Sequence, residues 1–229
     1  MSEERIVRLH PRISANKLGE YCVSPPPRRQ TIIERQKYPC TYIGAYYEPA
    51  RSTIVDFLLG HIDRVGMLER MEALVCAEHE SSWSRYRANG CADAVLKFLD
   101  LEPRLDLGGM TPVLVPEHDK LEVSGVDVSV YPDLVLEGRD RRGRPVIGAV
   151  KLHFPKSHPQ TDAAAEYVGT MLRMYATMAM SDRGKVCHEA CMVIDVFSGK
   201  VMNAPRGYVR LWRDISAACE EIRRAWPDA

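Results

Sequence analysis

Two neighbouring segments of the chain each carry one charged residue among aliphatic ones, and these residues are the strongest candidates for chemistry. In Val126–Leu136 the apolar residues alternate along the strand and leave Asp133 on the other face. In Pro145–Phe154 the same alternation leaves Lys151 on the face opposite Leu152. We therefore expect Lys151 to point from the middle of its strand toward the face that holds Asp133.

A carboxylate inside an apolar strand is costly to bury unless it has a partner, so Asp133 is interpreted as a functional residue rather than a turn or edge residue. A lysine can also cover a sheet with its stem while its amine reaches water. Lys151 therefore gains its significance from Asp133. His153 shares the face of Lys151 and is interpreted first as a hydrogen-bonded structural histidine.

The elements that must position these residues are predicted from hydrophobic periodicity. After Pro112 the chain is rich in Val, Ile and Leu, and turn-forming residues interrupt it. This pattern predicts a three-stranded antiparallel meander with strands at Val113–Val123, Val126–Leu136 and Pro145–Phe154.

Helical spacing is found on both sides of this meander. Before it, the pattern predicts three consecutive helices between Glu48 and Asp100, with the clearest break at Asn89–Gly90. After it, we expect a helix over Thr161–Met180, a hairpin of Cys191–Phe197 and Val201–Ala204, and a closing helix over Tyr208–Trp226.

The N-terminal part, residues 1–45, is predicted to be a helical arm. Ser14 can cap a first short helix, and the prolines that begin at Pro25 can open a second one. The chain has 229 residues and shows no internal repeat or linker, so we expect a single α/β domain over residues 1–229.

The Pro132–Asp133 pair on one strand and Lys151 on the next resemble the PD-(D/E)XK nuclease superfamily. The order of predicted elements is similar to its restriction-endonuclease-like core, and the N-terminal arm resembles its RecB-type exonuclease branch. The resemblance implies a hydrolase that cuts phosphodiester bonds with Mg²⁺ or Mn²⁺. In it Asp133 would bind the metal, Lys151 would assist catalysis, and Tyr175 would match the tyrosine of a Gln-x-x-x-Tyr motif.

The chain departs from that family pattern at two positions. Ala149 stands where the second metal-binding acid is expected, and Met171 stands where the glutamine is expected. Because Mg²⁺ has few protein ligands, a lost carboxylate needs a substitute. Glu78 is the favoured substitute, since it continues a predicted core-facing helical stripe. Weaker candidates are Glu122, Asp127 and Glu166.

Nucleic acid, either DNA or RNA, is the partner that this resemblance implies. The phosphate-binding candidates are Arg28 and Arg29 in the arm and Arg141 and Arg142 in the turn before the Lys151 strand. A solvated, purely structural turn is the alternative. The 31 basic and 31 acidic residues cancel, so binding would depend on local patches and not on global charge.

Composition excludes several other classes of protein. No stretch has the roughly 20 apolar residues of a membrane helix, and the N-terminus lacks a secretory pattern, so we expect a cytoplasmic protein that does not interact with membranes. The seven cysteines are scattered, which favours reduced thiols and no disulfide framework. They also lack the clustering of an iron–sulfur site, and no such cluster is expected.

Three functions therefore remain open from the sequence. The first is a divalent-metal-dependent nuclease with a relocated acid. The second is a catalytically inactive nucleic-acid-binding or scaffold module of the same fold that keeps Asp133 and Lys151 as a structural pair. The third is a partner-binding α/β protein without a role on nucleic acid. The sequence names no protein partner.

Overall fold

The chain folds into helices and two mixed β-sheets, as seen in a computed structural model that describes residues 6–39, 46–115, 120–156 and 160–227. The helices are α1 (Ala15–Val23), α2 (Pro26–Lys37), α3 (Glu48–Leu58), α4 (Arg64–Cys76), α5 (Ser82–Leu101), α6 (Asp162–Ala179) and α7 (Val209–Ala225). The strands are β1 (Arg12–Ser14), β2 (Thr111–Val113), β3 (Leu121–Val123), β4 (Val126–Ser129), β5 (Leu134–Arg139), β6 (Pro145–His153), β7 (Lys185–Asp195) and β8 (Lys200–Asn203).

The larger sheet has five strands in the order β2-β5-β6-β7-β8. β6 and β7 are parallel and are joined by the crossover helix α6, whereas the other neighbours in this sheet are antiparallel. The smaller sheet has the order β1-β4-β3, with β1 parallel to β4. The mixed α/β class predicted from the sequence is confirmed.

The two faces of the larger sheet pack against different helices. Side chains such as Val135 and Ala149 face α1, α6 and α7, whereas Leu134 and Val150 face α3, α4 and α5. Alternation along each strand therefore supplies two separate apolar cores. The sheet is the wall between them, and charged side chains are excluded from its centre.

The predicted second strand of the meander, Val126–Leu136, is wrong as a single strand. The chain forms β4, turns, and then forms β5 in the other sheet. The turn contains Tyr131, whose φ is +33°, a left-handed conformation that costs a residue with a side chain about 1–2 kcal/mol. The predicted first strand, Val113–Val123, is also wrong as one strand. Its ends belong to β2 and β3, and residues 116–119 lie outside the described ranges.

The helical predictions around the meander are largely confirmed. Three helices precede it, but the predicted break at Asn89–Gly90 is wrong, because α5 continues through both residues. A Cβ on Gly90 would lie 2.6 Å from the Tyr46 hydroxyl. The glycine is therefore explained by the space that the Tyr46 ring needs and not by the end of a helix. After the meander, α6 and α7 form where expected, and the predicted hairpin is present, but β7 starts at Lys185, six residues before the predicted Cys191, and ends at Asp195.

The N-terminal helices begin at the predicted residues and join the core. The Ser14 side chain caps α1 by accepting from the Lys17 N–H, and α2 starts at the proline pair after Pro25. α1 packs closely on α6, since a Cβ on Gly19 would lie 2.7 Å from the Ala164 carbonyl oxygen. No helix in the described ranges is long and apolar enough to cross a membrane.

Gly148 controls the register that positions Lys151. The β6–β7 ladder shifts between Ile147 and Ala149, where β7 bulges, and a Cβ on Gly148 would overlap the backbone of Ala190. We expect Gly148→Ala to lower the free energy of unfolding by about 1–3 kcal/mol through overpacking. Chemical denaturation measures this loss.

The matched control is Gly207→Ala, because a Cβ at Gly207 would meet no atom within 4 Å. This substitution is expected to change the free energy of unfolding by no more than about 0.5 kcal/mol. Equal stabilities of the two variants would contradict the role given to Gly148.

Candidate functional site

Asp133 and Lys151 meet at one end of the larger sheet, as the strand alternation predicts. Asp133 immediately precedes β5, and Lys151 is near the end of β6. The Lys151 Nζ lies 3.8 Å from Asp133 Oδ2, and the two side chains are only 10% and 5% exposed. The two charges are thus neighbours at the rim of the sheet, nearly withdrawn from water.

Backbone contacts fix the Asp133 carboxylate in place. The backbone N–H of Asp133 donates to the Val150 carbonyl oxygen at 2.7 Å, and Asp133 Oδ2 accepts from the Leu152 N–H at 2.7 Å. Asp133 therefore extends the β5–β6 pairing by one residue without being in the middle of a strand, which corrects the sequence expectation. A hydrogen bond between a carboxylate and a buried N–H is among the stronger kinds in proteins.

Lys151 is held from the other side by the turn between β4 and β5. Its ammonium donates to the Tyr131 carbonyl oxygen at 2.6 Å. Burial lowers the pKa of Lys151 below the usual 10.5, although the charge of Asp133 acts in the opposite direction. The left-handed conformation of Tyr131 is thus associated with a carbonyl that solvates a buried cation.

Arg51 completes the site, and the sequence reasoning did not identify it. Its Nη1 donates to Asp133 Oδ1, and its guanidinium lies 5.2 Å from the centre of the Phe154 ring. Its side chain is 31% exposed, so part of the guanidinium reaches solvent. The only sequence signal was a cation three residues before the buried Ile54, on the apolar stripe of α3.

Both oxygens of the carboxylate that the family resemblance assigns to a metal already contact groups of the protein. Asp133 Oδ1 contacts Arg51, and Asp133 Oδ2 accepts from the Leu152 N–H. At the position of the second acid, Ala149 is fully buried on the side of α6. Within the described ranges no group of three or more His, Cys, Asp or Glu side chains is arranged to hold a metal.

Glu78 does not lie on a core-facing helical stripe, so that expectation is wrong. α4 ends at Cys76, and Ala77 has an extended backbone conformation with ψ of 154°. Glu78 is therefore exposed in the connection to α5. The helix is therefore shorter than its apolar periodicity indicates. The other candidate acids lie on other elements: Glu122 on β3, Asp127 on β4 and Glu166 on α6.

Tyr175 is 3% exposed in the core between the sheet and α6. It is thirteen residues, about 20 Å, along α6 from the start at Asp162. Lys151, by contrast, lies near the end of β6, from which the chain continues to the start of α6. Tyr175 therefore belongs to the packing beneath the sheet, at a distance from the charged cluster along the helix axis.

Arg28 and Arg29 tie α2 to the end of α1. The Arg28 Nε donates to Glu20 at 2.8 Å, and the Arg29 Nε donates to the Ser24 carbonyl at 3.0 Å. Arg29 also forms an ion pair with Glu221 of α7 at 3.1 Å. These contacts give both arginines a role in joining the N-terminal and C-terminal helices.

Arg141 and Arg142 are exposed in the turn between β5 and β6. This turn begins at Asp140, whose carboxylate accepts from the Arg142 N–H at 2.8 Å. Lys151 is six residues beyond the first residue of β6, which corresponds to about 20 Å of extended strand. The arginines of the turn and the charged cluster are therefore at opposite ends of the β5–β6 hairpin.

The comparisons with protein-family models and with curated proteins give no match for this chain. The site is therefore interpreted from its own chemistry, which is a buried carboxylate held by a lysine, an arginine and a backbone N–H.

The two cations depend on Asp133 as their shared counter-charge. We expect Asp133→Asn to lower the free energy of unfolding by about 3 kcal/mol, because Arg51 and Lys151 then face each other without an anion. Arg51→Met should cost only about 1 kcal/mol, since Asp133 retains Lys151 and the Leu152 N–H. Urea denaturation of the single and double variants measures the coupling, and strictly additive effects would contradict it.

Burial of Lys151 also makes stability depend on pH in a defined direction. The folded protein holds the Lys151 proton less strongly than the unfolded chain, whose lysines titrate near 10.5. The wild type should therefore gain stability relative to Lys151→Met as the pH rises toward 10.5. Denaturation of both proteins near neutral pH and at about pH 10 tests this. A difference that stays constant or shrinks would contradict it.

Proposed function

We propose that the protein is a catalytically inactive relative of the PD-(D/E)XK nucleases that binds nucleic acid. The observation that carries the proposal is the contact of the Arg51 guanidinium with Asp133 Oδ1. An arginine cation thus occupies one oxygen of the carboxylate that the family resemblance assigns to a metal. A fixed cation can attract phosphate, but it cannot generate a hydroxide from bound water as a metal ion does.

The order of the elements supports this proposal. β2, β5 and β6 form an antiparallel set, α6 crosses over, and β7 lies parallel to β6. That order agrees with the α-β-β-β-α-β core on which the resemblance rests. Asp133 and Lys151 lie at the carboxyl end of β6 in this arrangement, and this is the edge where open α/β sheets usually bind ligands.

Arg51 is the cation of the cluster that a phosphate could reach. It shares Asp133 with Lys151 and lies 3.6 Å from the exposed Glu48 carboxylate, so the group carries no surplus positive charge and a phosphate would displace Glu48 from Arg51. The Lys151 side chain is only 10% exposed, whereas the Arg51 side chain is 31% exposed. Arginine presents a planar fork of N–H donors that matches phosphate oxygens. Arg51 would therefore contact phosphate, and Asp133 and Lys151 would fix its orientation.

The test combines cleavage and binding with the same labelled single- and double-stranded DNA and RNA. We expect no cleavage above background in Mg²⁺, Mn²⁺ or EDTA. We expect binding that weakens as salt is added, because phosphate contacts release counterions. Arg51→Gln should weaken binding by about ten-fold, the equivalent of one charged hydrogen-bonding contact. Circular dichroism confirms that this variant is folded.

The matched control is Arg142→Gln, which removes the same charge at the opposite end of the β5–β6 hairpin and should leave affinity unchanged. Metal-dependent cleavage that is lost in both Asp133→Ala and Lys151→Ala would overturn the proposal and establish a nuclease. The absence of salt-sensitive binding to any nucleic acid would also overturn it and would favour a partner-binding protein.

A further inference from the structure

Six aromatic rings form a continuous band from α5 to the charged cluster. We call this band the aromatic strip, and its members are Tyr46, Tyr47, Trp83, Tyr86, Phe154 and Phe197. They come from four separate parts of the chain, so no local sequence motif predicts the strip. Aromatic rings are usually buried in a core, and a band of them that reaches the surface indicates a binding surface.

Tyr46 is the central ring of the strip. Its ring centre lies 4.6 Å from that of Tyr47, 6.2 Å from Trp83 and 6.1 Å from Tyr86. Its hydroxyl donates to the Tyr86 carbonyl at 3.1 Å, and its own carbonyl accepts from Arg87 at 3.0 Å. These contacts, with the close approach to Gly90, hold the outer rings in a preformed arrangement.

The inner part of the strip reaches the candidate site. Tyr47 stacks on Phe154 with ring centres 5.3 Å apart, and it meets Phe197 edge-on at 5.6 Å. Phe154 in turn lies beneath the Arg51 guanidinium. One surface therefore leads from exposed rings on α5 to the arginine that binds Asp133.

The outer rings are accessible to a ligand. Trp83 is 45% exposed and Tyr86 is 70% exposed. Both are on the first turns of α5, three residues apart, and therefore on the same side of the helix. Their faces offer apolar area that the fold itself leaves partly uncovered.

Cations accompany the rings along the whole strip. Arg87 lies 6.0 Å from the Trp83 ring centre, Arg51 lies 5.2 Å from Phe154, and Lys156 lies 5.6 Å from Phe197. Three acids balance this charge: Asp93 pairs with Lys156 at 2.7 Å, Glu48 lies 3.6 Å from Arg51, and Asp133 accepts from Arg51. The combination of exposed rings and spaced cations is typical of surfaces that bind single-stranded nucleic acid.

We infer that the aromatic strip binds a single strand of DNA or RNA, with bases stacked on Trp83 and Tyr86 and phosphates directed to Arg87 and Arg51. The inference rests on the proposed nucleic-acid binding and names the form of nucleic acid. A duplex hides the faces of its bases, so it cannot use the exposed rings. The chain as a whole is neutral, and acids lie beside Arg51 and Lys156, so the strip does not form the extended basic surface that a duplex backbone favours.

The test measures fluorescence anisotropy of labelled single-stranded DNA, the matching duplex, and an abasic strand that keeps the phosphates but lacks the bases. The wild type should bind the single strand at least ten-fold more tightly than the other two. Trp83→Ala and Tyr86→Ala should each weaken single-strand binding by about ten-fold and leave abasic-strand binding unchanged. Trp83→Phe, which keeps a ring, should retain most of the affinity.

The matched control is Tyr38→Ala, which removes a partly exposed tyrosine at the end of α2, outside the strip. It should not alter binding. Equal binding of single strand, duplex and abasic strand, with no effect of Trp83→Ala, would overturn this inference while leaving a role for Arg51 intact. Failure of the wild type to bind any nucleic acid would overturn both, and the strip would then be assigned to a protein partner.

Discussion

This end of the molecule depends on the contacts that the Asp133 carboxylate makes. The carboxylate accepts from the Leu152 N–H of β6, lies beside the Lys151 ammonium and receives the Arg51 guanidinium from α3. One side chain thus joins both strands of a hairpin to a helix that is 82 residues earlier in the chain. Because this group is almost withdrawn from water, each partner supplies solvation that water would otherwise provide.

Other features of the fold follow from the need to satisfy this cluster. The turn between β4 and β5 adopts a left-handed conformation at Tyr131 and directs its carbonyl to Lys151. The β7 bulge opposite Gly148 sets the register in which Lys151 is paired. The left-handed residue Tyr131 and the β7 bulge thus accompany the charged groups, whereas the two apolar cores are built from regular alternation.

The charged cluster and the aromatic strip are continuous, because Phe154 contacts both Tyr47 and Arg51. α3 contributes Arg51, and α5 contributes Trp83 and Tyr86, so two of the helices that cover one face of the sheet also carry the exposed groups to which we assign binding. In the proposed function, the cation near Asp133 replaces a metal as the anchor for phosphate, and the rings select unpaired bases. The protein would then bind nucleic acid without cutting it, because the Arg51 guanidinium does not activate water as a metal ion does.

The sequence by itself determined the elements whose periodicity is strong and local. Spacing alone predicted α6, α7 and β6, and alternation across the β5–β6 hairpin brought Asp133 and Lys151 to one end of the sheet. These features follow from contacts between residues that are close along the chain.

Only the tertiary structure decided the features that depend on distant contacts. α5 passes through Gly90 because Tyr46 packs there, and α4 stops before Glu78 although its apolar period continues. Arg51 reaches Asp133 because α3 packs over the start of β5, which no local pattern encodes. The nature of the site, an ion cluster centred on one carboxylate, was therefore set by packing between segments far apart in the sequence.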